Sequence, residues 1–263
     1  MKCGLLEKRK GEFDDEINIA AYVWYEKDWT HDDYDHAHHR YQLTYVEEGY
    51  QYFHIENKIY LVSQNHLIWI PTGKKHHTQS EASTVNLMVI LFKTVFDNDF
   101  YNKVHVFAAP PVLREMLQYA SKWNKLLEED EEQGYFLKAL LNSVPHFCTE
   151  KVGLQIPIPA DPRLLPVCNY INRNYIELVS IDDLADISLM STRSLQRIFK
   201  RETGITIQKY MQLIRILKSI ELINTGQYTF SQIAFMIGYK SLSAFTNSYF
   251  GIMKEKAKII GKS

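Results

Sequence analysis

The stretch that decides the fold of the second half of the chain is residues 180–199, which read SIDDLADISLMSTRSLQRIF. A later stretch, residues 229–249, follows the same pattern and reads TFSQIAFMIGYKSLSAFTNSY. Each begins with Ser or Thr at an N-cap position, and three residues later an acid or amide can reach back to the cap. Each then has an aliphatic residue followed by Ala, a short turn, and a second helix with an apolar pair at i and i+4. The repeat predicts two helix-turn-helix units.

A single long helix is predicted between the two units, at 206–224. At 1.5 Å per residue it spans roughly 28 Å, which is near the ~34 Å of one turn of DNA. The second helices of both units could therefore enter adjacent major grooves on one face of a duplex. A plain helical bundle without DNA is the alternative. The helices predicted after residue 162 are 163–177, 181–188, 191–203, 206–224, 229–237 and 241–253.

The charge of the chain differs between its two halves. Over all 263 residues the formal net charge is −1, but 163–263 contain 14 Lys and Arg against 7 Asp and Glu. The preceding 162 residues contain 16 basic and 24 acidic residues, and all ten histidines. Such a difference indicates two domains with different partners, and the basic half favours a nucleic acid. The overall composition excludes a disordered or collagen-like chain.

The first half of the chain predicts a β-rich domain. Short runs rich in Tyr, Val, Ile and Trp, separated by turn residues, predict strands at 18–25, 41–47, 50–56, 58–62, 66–70 and 85–92. Six short strands at this spacing favour a sandwich or a barrel. From Pro110 the period becomes helical, and two amphipathic helices could pair with a second subunit or pack on the barrel. Prolines make 151–162 a linker candidate.

The histidines of the first half include a spaced group that resembles the two cupin motifs. The segments are His36-Ala37-His38-x-x-x-Gln42-x6-Gly49 and Asn65-x5-Pro71-x-Gly73-x-x-His76. In a cupin these side chains point into a small barrel, and three imidazoles with a carboxylate bind a first-row metal. Here Gln42 replaces the carboxylate and Asn65 replaces a glycine, so metal affinity should fall.

Three interpretations of this group remain open: a pocket for an organic effector, a Zn, Fe or Mn site, and ordinary barrel residues without a ligand. We expect the first, with no metal, no cofactor and no catalytic residue. The upstream aromatic residue Trp24 is either part of that pocket or buried in the core. The expected effector-binding residues are Trp24, His36, His38, Gln42 and His76.

The second half resembles the DNA-binding domain of the AraC/XylS family of bacterial transcription regulators. The resemblance covers 163–253 and rests on Leu184-Ala185, Ser191-x-Arg193-x-Leu195-x-Arg197-x-Phe199-Lys200-x-x-Thr203-Gly204, Arg215, and Ile233-Ala234-x-x-x-Gly238-Tyr239-x-Ser241-x-Ser243-x-Phe245. It implies that the second helix of each unit contacts DNA, since Arg can pair with guanine and Gln with adenine. The implied DNA-binding residues are Arg193, Ser194, Gln196, Arg197, Lys200, Lys240, Ser241, Leu242, Ser243, Thr246 and Asn247.

Two departures from the family pattern occur in the second unit. Leu242 and Asn247 stand where the family usually has a Gln-like residue and an Arg. The usual Phe-Gly-x-x-Pro-x-x-Tyr-Arg ending is replaced by Phe250-Gly251-Ile252-Met253-Lys254-Glu255-Lys256-Ala257. The first departure predicts that the second helix-turn-helix unit either reads less sequence or uses Lys240, Ser243 and Thr246 instead. The second departure bears on the packing of the last helix and predicts a weaker contact with the second half-site.

The sequence therefore predicts an α+β protein of two domains: an N-terminal cupin-like β-barrel with two helices, and a C-terminal all-α domain with two helix-turn-helix units. The expected boundaries are 1–109 for the barrel, 110–150 for a dimerisation or packing segment, 151–162 for the linker and 163–263 for the DNA-binding domain. No signal-like or membrane-spanning stretch is evident, and the three cysteines have no metal or disulfide spacing, which favours a cytoplasmic protein.

The function expected from these features is ligand-responsive transcription regulation. We expect a homodimeric, non-enzymatic activator of a metabolic, possibly carbohydrate-utilisation, operon that binds promoter DNA, a small effector such as a sugar, and RNA polymerase. The alternatives are a metal-dependent cupin enzyme fused to a DNA-targeting domain, and a regulator that needs no effector.

Overall fold

The computed structural model describes residues 17–29, 34–148, 154–177, 179–253 and 257. The N-terminal segment 1–16, the first part of the predicted linker and most of the divergent tail after Met253 lie outside the described residues. Contacts divide the chain into a first unit, Met1–Glu56 with Val62–Gly153, and a second unit, Asn57–Leu61 with Leu154–Ser263. The first unit is rich in strands and the second is mainly helical, so the predicted α+β class with two domains is confirmed.

The strands of the described residues include three that the sequence did not reveal, at 76–79, 105–108 and 154–157. In chain order they are β1 (Ala21–Glu26), β2 (Tyr41–Glu48), β3 (Tyr50–Ile55), β4 (Lys58–Ser63), β5 (His66–Ile70), β6 (His76–Gln79), β7 (Asn86–Phe92), β8 (His105–Ala108) and β9 (Leu154–Pro157).

A five-stranded antiparallel sheet, in the order β1-β7-β2-β5-β8, forms the centre of the first unit. Its register places Leu43 of β2 between Ile90 and Trp69, and all three side chains are fully buried. In the same unit, β3 pairs with β6. In the second unit, the first four residues of β4 pair with β9, so part of the predicted linker forms a strand.

One face of the five-stranded sheet is covered by two helices, α1 (Pro111–Ala120) and α2 (Glu131–Phe147). Proline suits the first turn of α1 because that position needs no amide hydrogen. Leu113 and Leu117 of α1 are buried against the sheet, and such burial contributes about 1.5–3 kcal/mol for each side chain. Strand side chains alternate between faces, so Gln42 and Thr44 lie on the opposite face from Leu43.

The second unit contains six α-helices within its described residues. They are α3 (Leu165–Arg173), α4 (Ile181–Ile187), α5 (Thr192–Thr203), α6 (Ile207–Asn224), α7 (Phe230–Met236) and α8 (Leu242–Met253). These agree with the predicted helices, with small differences at their ends. Among the described residues, none of the helices has the length and apolar content needed to cross a membrane.

The two helix-turn-helix units are α4 with α5 and α7 with α8. The second helix of each buries the predicted apolar pair, which is Leu195 and Phe199 in α5 and Phe245 and Tyr249 in α8. At α7 the cap is a full capping box, because Thr229 and Gln232 bond reciprocally to each other's backbone amides. At α4 the Ser180 hydroxyl instead accepts from the amide of Asp182.

The turns of the two units have the same backbone conformation but different residues. Leu189 and Gly238 both lie four residues after the Ala of their helix and both have positive φ, at 54° and 82°. A Cβ at Gly238 would lie 2.4 Å from the carbonyl oxygen of Ile176, so this position requires glycine. Leu189 has no such packing constraint, since its side chain is 94% exposed.

Arg215 of α6 joins the loop after α3 to the turn between α7 and α8. Its guanidinium donates to the carbonyl oxygens of Tyr175 at 2.7 Å, Glu177 at 3.0 Å and Gly238 at 3.2 Å. It also lies over the Tyr239 ring, 5.8 Å from its centroid. One side chain therefore holds the segment 175–177 against the turn where Ile176 meets Gly238.

Substitutions at the two turn positions should change stability in opposite directions. Leu in the left-handed region costs roughly 1–2 kcal/mol, while Gly loses about 0.5–1 kcal/mol in chain entropy. Leu189→Gly should therefore raise the free energy of unfolding by about 0.5–1 kcal/mol. Gly238→Ala should lower it by about 2 kcal/mol or more, because a backbone carbonyl cannot yield easily. Denaturant unfolding followed by far-UV circular dichroism measures both, and a loss of stability in Leu189→Gly would contradict this account.

Candidate nucleic-acid interface and sensor site

Helix α5 presents a polar stripe to solvent. Arg193, Gln196, Arg197 and Lys200 recur at i, i+3, i+4 and i+7 and are all exposed, so they share one face of the helix. Ser194 is half-buried, and its hydroxyl accepts from that of Ser191, the N-cap residue. The stripe combines three cations with one amide, which are the groups that contact phosphates and base edges in a major groove.

Helix α8 presents a different surface. Ser241, Leu242, Ser243 and Asn247 are exposed, as is Lys240 just before the helix, while Thr246 is half-buried. Two of the hydroxyls are engaged within the helix: Ser241 accepts from the amide of Ala244, and Thr246 donates to the carbonyl oxygen of Ser243. Lys240 is the only cation among the residues of the second helix-turn-helix unit that are predicted to contact DNA. The α8 surface is therefore polar but weakly charged.

A buried hydrogen-bond node fixes α8 against α6. The Ser248 hydroxyl is 8% exposed and accepts from the Gln212 side chain at 2.7 Å and the Tyr239 hydroxyl at 2.6 Å. Two donors to one hydroxyl oxygen use both of its lone pairs. Gln212 is on α6 and Tyr239 is in the turn before α8, so the exposed face of α8 is held at a fixed rotation.

In the first unit, three predicted effector-site histidines lie together. His36 and His76 form an isolated antiparallel bridge, each backbone amide donating to the other's carbonyl oxygen at 2.9 Å. The ring centroids of His36 and His76 are 4.4 Å apart, and those of His38 and His76 are 5.4 Å apart. One ring nitrogen from each of the three lies within 4.8 Å of the others. The structure thus brings His36, His38 and His76 into one cluster.

Gln42, the fourth predicted member, is bonded to His38. The Nε2 atom of His38 lies 3.0 Å from Gln42 Oε1, and its Nδ1 lies 2.9 Å from the carbonyl oxygen of Arg40. Gln42 Nε2 in turn donates to the Thr44 hydroxyl at 2.8 Å. Both ring nitrogens of His38 therefore lie within hydrogen-bond distance of another polar atom of the protein.

This geometry departs from a cupin-type metal centre, although one ring nitrogen from each of His36, His38 and His76 could reach a single ion. The Nε2 atom of His38 contacts Gln42, so a metal ion would have to displace that hydrogen bond. Gln42 also supplies no negative charge to offset a divalent ion. The donor set therefore falls short of three histidines and a carboxylate.

His76 has a buried nitrogen available to a ligand. Its side chain is 1% exposed, and Nδ1–H donates to the carbonyl oxygen of Lys74 at 2.8 Å. Burial, with a smaller contribution from nearby His36, lowers the pKa of His76 to about 3, so the ring is neutral near pH 7. The buried Nε2 atom has no hydrogen-bond partner and carries a lone pair. Such an atom is a ready acceptor for a ligand hydroxyl or N–H group.

Comparison with known proteins agrees with both parts of this picture. The model of an AraC-like ligand binding domain matches residues 16–119, and that of a helix-turn-helix domain matches 184–257. The chain belongs to the AraC family of transcription regulators. It is 21% identical to the regulator NimR of Escherichia coli strain K12, with 81% of this chain and 77% of that protein aligned.

Two further relatives align with most of this chain. An uncharacterised regulator, YbfI of Bacillus subtilis strain 168, is 24% identical, with 84% of this chain and 83% of that protein covered. The transcriptional activator RhaS of Yersinia pestis is 21% identical, covering 82% of this chain and 84% of that protein. The AraC-family chain is accordingly a DNA-binding regulator with a ligand-binding domain.

Trp24, the remaining predicted effector residue of this AraC-family chain, makes other contacts. Its indole N–H donates to Glu26 at 2.9 Å, and its ring lies 5.0 Å from that of Trp29. It packs with Tyr22, Val89 and Leu91 in a small apolar cluster. Trp24 is 9% exposed, and its partner Val89 on β7 also pairs with Thr44 of β2, so Trp24 lies on the same face of the sheet as Gln42.

Sequence reasoning missed several polar residues of the AraC-family chain. Arg40 is 3% exposed and donates to the carbonyl oxygens of Ile17, Ile19 and Leu91, so it ties residues 17–19 to the sheet. No strand pattern signals Arg40, because His38 and Arg40 both precede β2. The Gln212–Ser248 bond also has no sequence signal, since it joins residues far apart in the chain.

Removing the two arginines of α5 should abolish tight DNA binding. Each base contact by an arginine is worth about 1–3 kcal/mol, so Arg193→Ala with Arg197→Ala should weaken specific binding at least roughly thirtyfold. The target is the duplex that the wild-type AraC-family chain selects from random DNA, with affinity measured by fluorescence anisotropy. Lys103→Ala with Lys138→Ala removes the same charge from exposed positions of the first unit and should have little effect. Specific binding that survives the α5 change would refute the assignment.

Restoring a carboxylate to the histidine cluster should increase its affinity for metal. Gln42→Glu adds the missing negative charge and should tighten Zn²⁺ binding at least about tenfold relative to wild type. Titration against a chromophoric chelator measures this, with Gln118→Glu, at an exposed position outside the cluster, as the matched control. Wild type that binds Zn²⁺ as tightly as Gln42→Glu would show that the cluster is already a complete metal site.

Proposed function

We propose that this AraC-family chain activates transcription of a metabolic operon, one for carbohydrate use, in response to a small hydroxylated effector such as a sugar. The observation that carries the proposal is the pairing of two units with separate chemistry. One holds two helix-turn-helix motifs with exposed polar faces, and the other holds a histidine cluster in which the buried Nε2 atom of His76 has no hydrogen-bond partner. The name of RhaS, a transcriptional activator, supports the choice of activation.

The effector chemistry is inferred from His76. A neutral imidazole with a buried lone pair favours a ligand that donates a hydrogen bond, and the hydroxyl groups of a sugar do so. His36, His38 and Gln42 complete the proposed site. Binding would act on transcription only if the effector prefers one arrangement of the protein over another.

Two macromolecular partners belong to the proposal. We infer that the chain acts as a homodimer through the helical segment 110–150, where apolar side chains remain exposed: Val112, Leu126, Leu127 and Tyr135 are 44–73% exposed. Exposed apolar side chains in one segment are typical of a protein interface. An activator bound beside a promoter would also contact RNA polymerase.

A metal-dependent enzyme fused to a DNA-targeting domain is the rival function. The engaged nitrogens of His38 and the neutral side chain of Gln42 speak against it, because they leave an incomplete donor set. The relatives reported above are regulators rather than enzymes. Stoichiometric Fe, Mn or Zn in purified protein, lost on His36→Ala, would favour the rival.

The effector response should depend on His76 while DNA binding does not. His76→Asn keeps a donor for the Lys74 carbonyl but removes the Nε2 acceptor, so it should weaken effector binding about tenfold. The readout is in vitro transcription with RNA polymerase from the promoter that the wild type binds, with and without each sugar of a panel. His77→Asn is the control, because His77 instead donates to Asp35. A panel sugar that activates wild type and His76→Asn equally would place the effector elsewhere.

A further inference from the structure

A cavity lies on the opposite side of the five-stranded sheet from the histidine cluster. It has a volume of about 740 Å³, within the range of small-ligand pockets, and it lies between the sheet and α1. Tyr45 shows on which side of the sheet the cavity lies, because it lines the cavity and packs with residues of α1 and α2. Thr44, the preceding residue of β2, faces the opposite side. This cavity is therefore separate from the proposed effector site at His76.

The floor of the cavity is built around Asn65. Its backbone has φ of 60°, which glycine and asparagine tolerate best, and its side-chain oxygen accepts from the Tyr45 hydroxyl at 3.1 Å and from Arg114 at 3.4 Å. Asn65 is the residue that replaces the glycine of the cupin motif. The replacement adds an acceptor that positions a tyrosine and an arginine, which a glycine could not do.

The charged groups of the cavity have both signs. Arg114 and Lys27 are positive, and Glu47, Glu48 and Glu115 are negative. Glu47 accepts from the Tyr25 hydroxyl, and Glu48 accepts from the Asn86 amide at 2.8 Å. Burial, the Tyr25–Glu47 hydrogen bond and both carboxylates raise the pKa of Tyr25, which is consistent with negative potential at this end of the cavity.

One donor in this cavity has no partner. Arg114 Nε is buried and makes no hydrogen bond, although the guanidinium also reaches Asn65. A buried cationic donor is best satisfied by an anionic oxygen, since charge-assisted bonds are roughly twice as strong as neutral ones. A simple anion would be repelled by the three glutamates. A ligand that carries a cation as well avoids that repulsion.

We propose that this cavity binds a small zwitterion of the α-amino-acid type. The carboxylate accepts from the guanidinium group of Arg114, and the ammonium group donates to Glu115 and Glu47. Because Arg114 and Glu115 belong to α1 whereas Tyr45 and Glu47 belong to β2, an occupant bonds to both and holds α1 on the sheet. The site is independent of the proposed sugar response.

The experiment is isothermal titration of the full chain with the twenty proteinogenic amino acids. At least one should bind, and both its N-acetyl and its carboxamide derivatives should bind at least about tenfold more weakly, because each lacks one charge. Failure of every amino acid to bind at millimolar concentration overturns the proposal. A derivative that binds as tightly as its parent also overturns it.

Substitutions of residues that line the cavity test whether the amino acid binds there. Arg114→Gln and Glu115→Gln should each weaken binding about tenfold, whereas Lys138→Gln and Glu128→Gln, at exposed positions outside the cavity, should not. Asn65→Gly suits the positive φ and provides a second test if Arg114→Gln does not fold. Glu56→Gly, at another positive-φ position, is its control.

Two outcomes separate this site from the histidine cluster. Amino-acid binding that His76→Asn abolishes and Asn65→Gly preserves would move the ligand to the cluster and overturn the proposal. Binding that Asn65→Gly weakens and His76→Asn preserves supports it, whether or not any sugar activates transcription.

Discussion

The arrangement of the DNA-binding unit depends on one guanidinium group. Arg215 is near the middle of α6 and donates to three backbone carbonyls, two after α3 and one at the turn between α7 and α8. Carbonyl oxygens at the end of a helix and in a turn have no partner within their own element, so each needs a donor from elsewhere. A lysine could offer only a point charge, whereas the planar fork of arginine serves three acceptors in fixed directions.

That interaction explains why the second turn contains glycine. The three bonds hold the segment 175–177 so close to the turn that the Ile176 oxygen occupies the place of a Cβ on residue 238. The first turn has the same backbone conformation with no such neighbour, and leucine is accommodated there at the cost of strain. One repeated conformation thus permits two residue types, and the difference is set by tertiary contact rather than by the turn itself.

The helical half could be predicted almost completely from the sequence, and the β-rich half only in part. N-caps, apolar spacing and turn residues are local signals, so α4, α5, α7 and α8 begin and end close to where the sequence places them. Strands β6 and β8 were missed because each is four residues long and has no alternation to detect. Strand β9 was missed because its proline suggested a linker, although proline at a strand end is compatible with pairing.

The candidate sites could also be predicted only in part from the sequence. Motif spacing correctly grouped His36, His38, Gln42 and His76, because the bridge between His36 and His76 and the segment leading into β2 place them side by side. It did not show that both nitrogens of His38 are used, because Arg40 enters through its backbone oxygen, which has no sequence signature. Whether Trp24 belongs to the core or to a pocket was left open by its sequence context, because an aromatic residue on an inward face suits both, and in the structure it packs in a small apolar cluster.

The two recognition helices differ in chemistry, and this difference constrains how the protein reads DNA. Helix α5 carries three exposed cations and an amide in one stripe, whereas the region of α8 has one lysine and several hydroxyls, two of them already bonded within the helix. Phosphate neutralisation supplies most of the affinity of such proteins, and base-edge contacts supply the specificity. The first helix-turn-helix unit, α4 with α5, can provide both affinity and specificity. The second helix-turn-helix unit, α7 with α8, can add shape complementarity to the DNA and a few polar contacts. The hydrogen bonds from Gln212 and Tyr239 to Ser248 hold α8 in a fixed orientation for these contacts. A site on DNA should therefore consist of one strongly specified half and one tolerant half.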